Sequence, residues 1–144
     1  MTAKEYLSQY RECVEDIKCK REELAILLAD ATAMSPQIDS GTHTPGAISD
    51  KVGRKGAARA DIEREIAEEL DAARLLRRNI RQSIAALPAG NLRRLLTYRY
   101  ICGCTWERVA VKMNLSYVHV VHRLHPQALR EIGDIIFKNI SECN

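Results

Sequence analysis

Two long apolar stripes at heptad spacing constrain this chain more than any other feature. In the first, Leu7, Tyr10, Val14, Ile17, Leu24 and Leu28 alternate by threes and fours, with Arg21 in the one missing slot. In the second, Ile62, Ile66, Leu70, Ala73, Ile80, Ile84 and Leu87 form a comparable stripe. A stripe of this period lies along one side of a helix and cannot line one face of a strand. The spacing predicts one helix from about Thr2 to Ala31, ~45 Å long at ~1.5 Å per residue. It predicts a second from about Ala57 to Leu87. Each stripe needs a partner, so the two read as a long, coiled-coil-like helical hairpin. The same stripes offer a dimer surface if they are not consumed within one chain. The second helix is acidic in its first half (Asp61, Glu63, Glu65, Glu68, Glu69, Asp71) and basic in its second (Arg74, Arg77, Arg78, Arg81). That order complements a helix dipole and permits pairing across an antiparallel hairpin.

Between the stripes lies Thr32 to Gly56. Pro36, Gly41, Pro45, Gly46, Gly53 and Gly56, with serine and threonine among them, predict a long flexible loop over residues 32–56. Gly53-Arg54-Lys55-Gly56 is short and basic but lacks the spacing and final hydroxyl of a nucleotide-binding loop. It reads as a solvated loop, with a second contact to DNA phosphates as the alternative. Ser49-Asp50 is placed to cap a short turn. Pro88-Ala89-Gly90 breaks the second helix from the C-terminal third of the chain, giving an expected division into 1–87 and 88–144.

Leu92 to Leu129 reads as helix, glycine turn, short helix, tight turn, helix. Leu92, Leu95, Leu96 and Ile101, with Tyr98 and Tyr100, make the first helix mostly apolar. Gly103 sits where a residue of positive φ ends it. Thr105 is placed as an N-cap, and Trp106, Val109, Ala110 and Met113 come next at i, i+3, i+4 and i+7. Ala110 is small where a third helix must cross closely. Asn114 tolerates the left-handed conformation a tight turn needs, and Ser116 is the next N-cap. Beyond it Tyr117, Val120, Val121, Leu124 and Ala128 share one face. Val118, His119, His122 and Pro126 fall opposite, with Arg123 at the edge nearest His119.

Tyr98-Arg99-Tyr100-Ile101, Thr105-Trp106, Val109-Ala110, Met113, Ser116, His119-Val120, Leu124-His125 and Ala128-Leu129 resemble the C-terminal module of sigma-like phage regulators. These are the RinA/ArpU-type late-transcription activators of Gram-positive phages and prophages, whose module is similar to region four of bacterial sigma factors. The likeness is dense over about 40 residues and looser elsewhere. It implies an all-α chain ending in a helix-turn-helix, double-stranded DNA binding and transcription control in a phage or prophage setting. RNA polymerase is implied as a partner by this likeness alone. One departure is Pro126, inside what the family has as a single recognition helix. Proline removes an N–H and disfavours helix at the residue before it. The expectation is a kink, or a helix ending near His125 with a new one starting at Pro126.

Composition fits these expectations. The 144 residues are 46% hydrophobic with one Phe and one Trp, so the core must be aliphatic. No apolar run approaches transmembrane length, and the start Met1-Thr2-Ala3-Lys4-Glu5 has no signal pattern, so a cytoplasmic chain without membrane contact is expected. Five cysteines without regular spacing do not form a disulfide framework. Cys102 and Cys104 fall two short of a tetrahedral zinc set and read as small, partly buried thiols. His119, His122 and His125 recur every three residues with no carboxylate or cysteine nearby to complete a metal site. No cofactor, metal or catalytic residue is implied: there is no nucleophile with a paired base and no phosphate-cradling glycine loop. Net charge is only +3, but residues 88–144 hold 8 Lys/Arg against 4 Asp/Glu. The basic excess lies on the expected DNA reader, as phosphate neutralisation requires.

The expected mechanism is a helix entering the major groove N-terminus first. Ser116, Tyr117, Val118, His119, His122 and Arg123 are the candidates at base edges. Arg123 suits guanine O6/N7 and Val118 a thymine methyl. Tyr117 also falls on the docking face, so both roles stand open. Trp106 reads as core rather than base-stacking. Arg99, Thr105, Arg108, Lys112 and Arg130 are the candidates for phosphate, whose contacts position rather than specify. The tail repeats the pattern with Leu129, Ile132, Ile136 and Ile140. Operators commonly match a protein two-fold, so a homodimer is expected. Two alternatives keep the fold and change the job: a small-terminase-like DNA-packaging subunit, and a helical interaction module without DNA binding.

Overall fold

In the computed structural model, residues 1–33 and 47–143 are described, and every regular element among them is helical. Helix α1 is Ala3–Ala33 and α2 is Ala47–Ala85. Helix α3, Asn91–Leu96, runs directly into a π-helical turn, Thr97–Ile101. Helix α4 is Trp106–Met113. Helix α5, Tyr117–His119, passes through a second π-helical turn, Val120–Leu124, into α6, His125–Glu142. The all-α expectation is met.

α1 starts where a capping box sets it. The Thr2 hydroxyl accepts from the Glu5 N–H (3.2 Å), and the Glu5 carboxylate accepts from the Thr2 N–H (2.6 Å). These bonds hold the Glu5 carboxyl below its ordinary range. α2 starts ten residues earlier than expected, so the flexible loop over 32–56 is corrected. Residues 34–46, with Pro36, Gly41, Pro45 and Gly46, lie outside the described residues. Gly53-Arg54-Lys55-Gly56, however, is helical, and Ser49-Asp50 lies inside α2 rather than capping a turn. Each glycine costs a helix ~1 kcal/mol. Ala57, Ala58 and Ala60 are strong helix formers, and extending an existing helix adds one backbone hydrogen bond per residue.

The chain forms two compact units, residues 15–72 and residues 1–14 with 73–144. The divisions fall at 14/15 and 72/73. In the 15–72 unit Ile17, Ile62 and Ile66 are buried. Lys20 pairs with Glu65 at 3.3 Å and more closely with Glu69, and the Glu69 bond raises the lysine pKa. The arginine half of α2 behaves otherwise than expected. Its last turn holds no basic residue, so those arginines do not complement the helix dipole.

The other unit has an aliphatic core. Leu7, Ile80, Leu87, Leu95, Leu96, Val109, Val120 and Ile132 are fully buried there, joined by Ala3, Ile84, Tyr100, Ala110, Ala128 and Ile136. Both stripes thus contribute to this core through their ends, Leu7 on α1 and Ile80, Ile84 and Leu87 on and just after α2. Arg93 fastens α3 to the end of α2, its guanidinium donating to the carbonyls of Ala85 (2.6 Å) and Leu87 (3.1 Å). Carbonyls at a helix end have no partner within the helix. Gly90, at φ 155°, makes the reversal before α3 in backbone space that side chains avoid.

Candidate nucleic-acid interface

The turns around α4 arise from their residues. Gly103 takes φ 71°, and the Cys104 N–H reaches back to the Tyr98 carbonyl (3.0 Å) across it. Thr105 is extended (φ −65°, ψ 160°) and accepts from the Arg108 N–H at 3.3 Å. Asn114 is left-handed (φ 56°, ψ 43°), and the Leu115 N–H bonds the Ala110 carbonyl at 3.0 Å. Ser116 repeats the capping geometry, accepting from the His119 N–H at 3.3 Å. Val109 and Ala110 are buried, and α4 packs on α3, on α5 and on the π turn after α5.

From Ser116 onward the segment has two sides. Val120 and Ala128 are fully buried, and Val121 and Leu124 are half-buried. Ser116, Tyr117, Val118, His119, His122 and Arg123 are all exposed, Val118 at 64% and Tyr117 at 43%. Tyr117 therefore lies on the outward side rather than in the docking face. His119, His122, Arg123, Gln127 and Arg130 line one open concavity, so Arg130 joins three of the expected base-reading residues.

As one of the two expectations had it, a new α-helix begins beside the proline, α6 starting at His125. Leu124 (φ −70°, ψ −42°) and His125 (φ −63°, ψ −48°) keep helical backbone, with Pro126 in the first turn of α6. The preceding turn is widened, the His125 N–H bonding the Val120 carbonyl five residues back. An inserted π turn lets a helix take a residue that its regular hydrogen-bond ladder would reject.

Two expected phosphate residues are engaged elsewhere. Arg99 donates to the Cys104 carbonyl (3.0 Å), and its guanidinium lies 4.5 Å from the centre of the Trp106 ring. Burial lowers its pKa, with Arg11 adding to the effect. It braces the turn after the first π helix and is placed as a packing residue. Thr105 is exposed, but its oxygen is the α4 cap. Lys112 is exposed with its amine 5.3 Å from the centre of the Tyr98 ring, and Arg108 and Arg130 are exposed. Cys102 is an exposed thiol and Cys104 a buried one. Among the described residues no three His, Cys, Asp or Glu side chains group to hold a metal, and no helix is long and apolar enough to cross a membrane.

Sequence reasoning missed His125. It is 8% exposed, its Nε2 shares a 2.8 Å hydrogen bond with the buried Tyr100 hydroxyl, and Trp106 meets it edge-on at 4.5 Å. Burial pushes its pKa down to about 4, with Lys4 and Arg99 adding to the effect. Burial also raises that of Tyr100. His119 and His122 are exposed while His125 seals the core, so the three histidines share no site. The signal was available: His125 lies four residues after Val121 and three before Ala128, both on the docking side.

No family model, curated protein or solved structure matches the chain.

Proposed function

We propose that this chain is a sequence-specific regulator that binds double-stranded DNA, in a phage or prophage setting, within the cytoplasm. In this reading α4, the Asn114 turn and the helix from Ser116 act as a helix-turn-helix, and α1 and α2 as the helical hairpin that carries it. One observation bears most of the weight. A helix start capped by Ser116 presents Tyr117, Val118, His119, His122 and Arg123 to solvent, while Val120 and Ala128 hold it to the core. A helix presented end-first with exposed donors beyond its first turn has the form of a major-groove reader. Arg123 suits guanine and Val118 a thymine methyl. Arg108, Lys112 and Arg130 remain exposed for phosphate. A homodimer on a two-fold operator, with RNA polymerase as a further partner, completes the reading.

Selection of preferred duplexes from a random pool by the full chain tests it. A recovered consensus protected in footprinting supports the proposal, and a pool that stays random overturns sequence reading. A second reading, a protein-interaction module, rests on the apolar surface around Val111 (79% exposed), beside Glu107, Leu115 and Tyr117. It predicts that the wild type binds no duplex at any salt concentration.

A further inference from the structure

Arg74, Arg77, Arg78 and Arg81 stand at i, i+3, i+4 and i+7 of α2, which brings them onto one arc of the helix. All four are exposed. Residues 73–85 contain no Asp or Glu. Two bland accounts of such a ridge fail. The dipole interaction is confined to the last turn of a helix, and the last turn of α2 holds no basic residue. Nor are the three arginines that follow Arg74 consumed by ion pairs. Arg77, Arg78 and Arg81 make no hydrogen bond or salt bridge with any described residue. Four like charges on adjacent turns repel one another and disfavour the helix that carries them. The buried stripe of Ala73, Ile80 and Ile84 on the same helix outweighs that cost.

We propose that this ridge is a second binding surface for the phosphate backbone of duplex DNA, in the same compact unit as the exposed face of Ser116–Arg123. It rests on the DNA-binding reading and adds a surface to it. The ridge covers ~10 Å of helix axis, a length over which duplex DNA presents about six phosphates. Arginine suits this ligand because its planar fork bonds phosphate oxygens in pairs and stays charged at all working pH values. The contact carries no sequence information; it adds affinity and steepens the salt dependence.

The test titrates a labelled random duplex and the selected target duplex with the full chain over a salt series, read by fluorescence anisotropy. Three proteins are compared with the wild type: the triple Arg77→Gln, Arg78→Gln, Arg81→Gln; the triple lysine equivalent; and Arg123→Ala. Circular dichroism confirms helix content in each. The glutamine triple is expected to lower the magnitude of the salt slope by about two to three and to weaken random-duplex binding about 100-fold at ~0.1 M salt. The lysine triple should keep most of the slope. Arg123→Ala should lose preference for the target while keeping the slope within about one unit. A glutamine triple with wild-type slope overturns the ridge and leaves the regulator reading standing. A wild type that binds no duplex at ~25 mM salt overturns both, even if it binds vesicles of anionic lipid. Loss in the glutamine triple with an unaffected Arg123→Ala supports the ridge and overturns the assigned base-reading face.

Discussion

Lowering the pH should destabilise this protein through His125 in particular. The imidazole is 8% exposed, bonded to Tyr100 and packed on Trp106, and its pKa is held at about 4. In the unfolded chain the same group titrates near the ordinary value of 6.5. Between those values the unfolded state takes up a proton that the folded state refuses. Stability is therefore full above pH ~6.5 and falls as the pH drops toward ~4, where the contribution levels off. A shift from 6.5 to about 4 corresponds to a loss of about 2 kcal/mol at pH 5 and about 3 kcal/mol at pH 4. Urea unfolding followed by the fluorescence of Trp106, whose ring lies against His125, measures it directly. With an m-value of about 2 kcal/mol/M, the midpoint should drop by about 1 M between pH 7 and pH 5. The decisive comparison is with His125→Gln. The glutamine amide keeps a partner for the Tyr100 hydroxyl and has nothing to titrate. The variant should be less stable than the wild type at pH 7 and should lose less between pH 7 and 5. Equal losses in the two proteins would refute the argument.

Other substitutions probe the module independently. Ser116→Ala removes the cap on the His119 N–H and should cost about 1 kcal/mol in thermal or urea unfolding. Asn114→Ala puts a Cβ without a compensating side-chain amide into left-handed backbone, at a cost of about 1 kcal/mol. Gly133 runs the other way. It is a buried helical glycine whose added Cβ would meet the Ala3 Cβ at 3.6 Å, ordinary contact, so Gly133→Ala should raise stability by about 0.5–1 kcal/mol in the same unfolding assay. Arg108→Ala should weaken target and random duplexes alike and reduce the salt slope by about one. Arg123→Ala should weaken the target far more than random DNA, as measured by competition binding.

Much of the module was legible in the chain because its rules act over a few residues. Gly103, Thr105, Asn114 and Ser116 each carry a side chain, or lack one, that selects a backbone conformation within one turn. All four took the conformation expected of them. The second apolar stripe was legible too, since burial tracks the helical period: Ile62, Ile66, Ala73, Ile80, Ile84 and Leu87 are buried and Leu70 is half-buried, whereas in the first stripe Leu7 and Ile17 are buried, Tyr10, Val14 and Leu24 half-buried and Leu28 exposed. Gly53 and Gly56 misled because local propensity is weak beside the extension of a long helix.

Packing decided the rest. Spacing to Val121 and Ala128 puts His125 on the docking side, but not which groups close over it: Tyr100 and Trp106 come from distant positions and meet it only once the first π turn, α4 and α6 are assembled. Arg99 looked like any surface cation until the fold set it against Trp106 and the Cys104 carbonyl. The π turn before Pro126 and the solvent-facing Arg77, Arg78 and Arg81 of α2 belong to the same class. Whether a polar group is buried, bonded or left to solvent depends on neighbours far away in the chain, and only the assembled core supplies them.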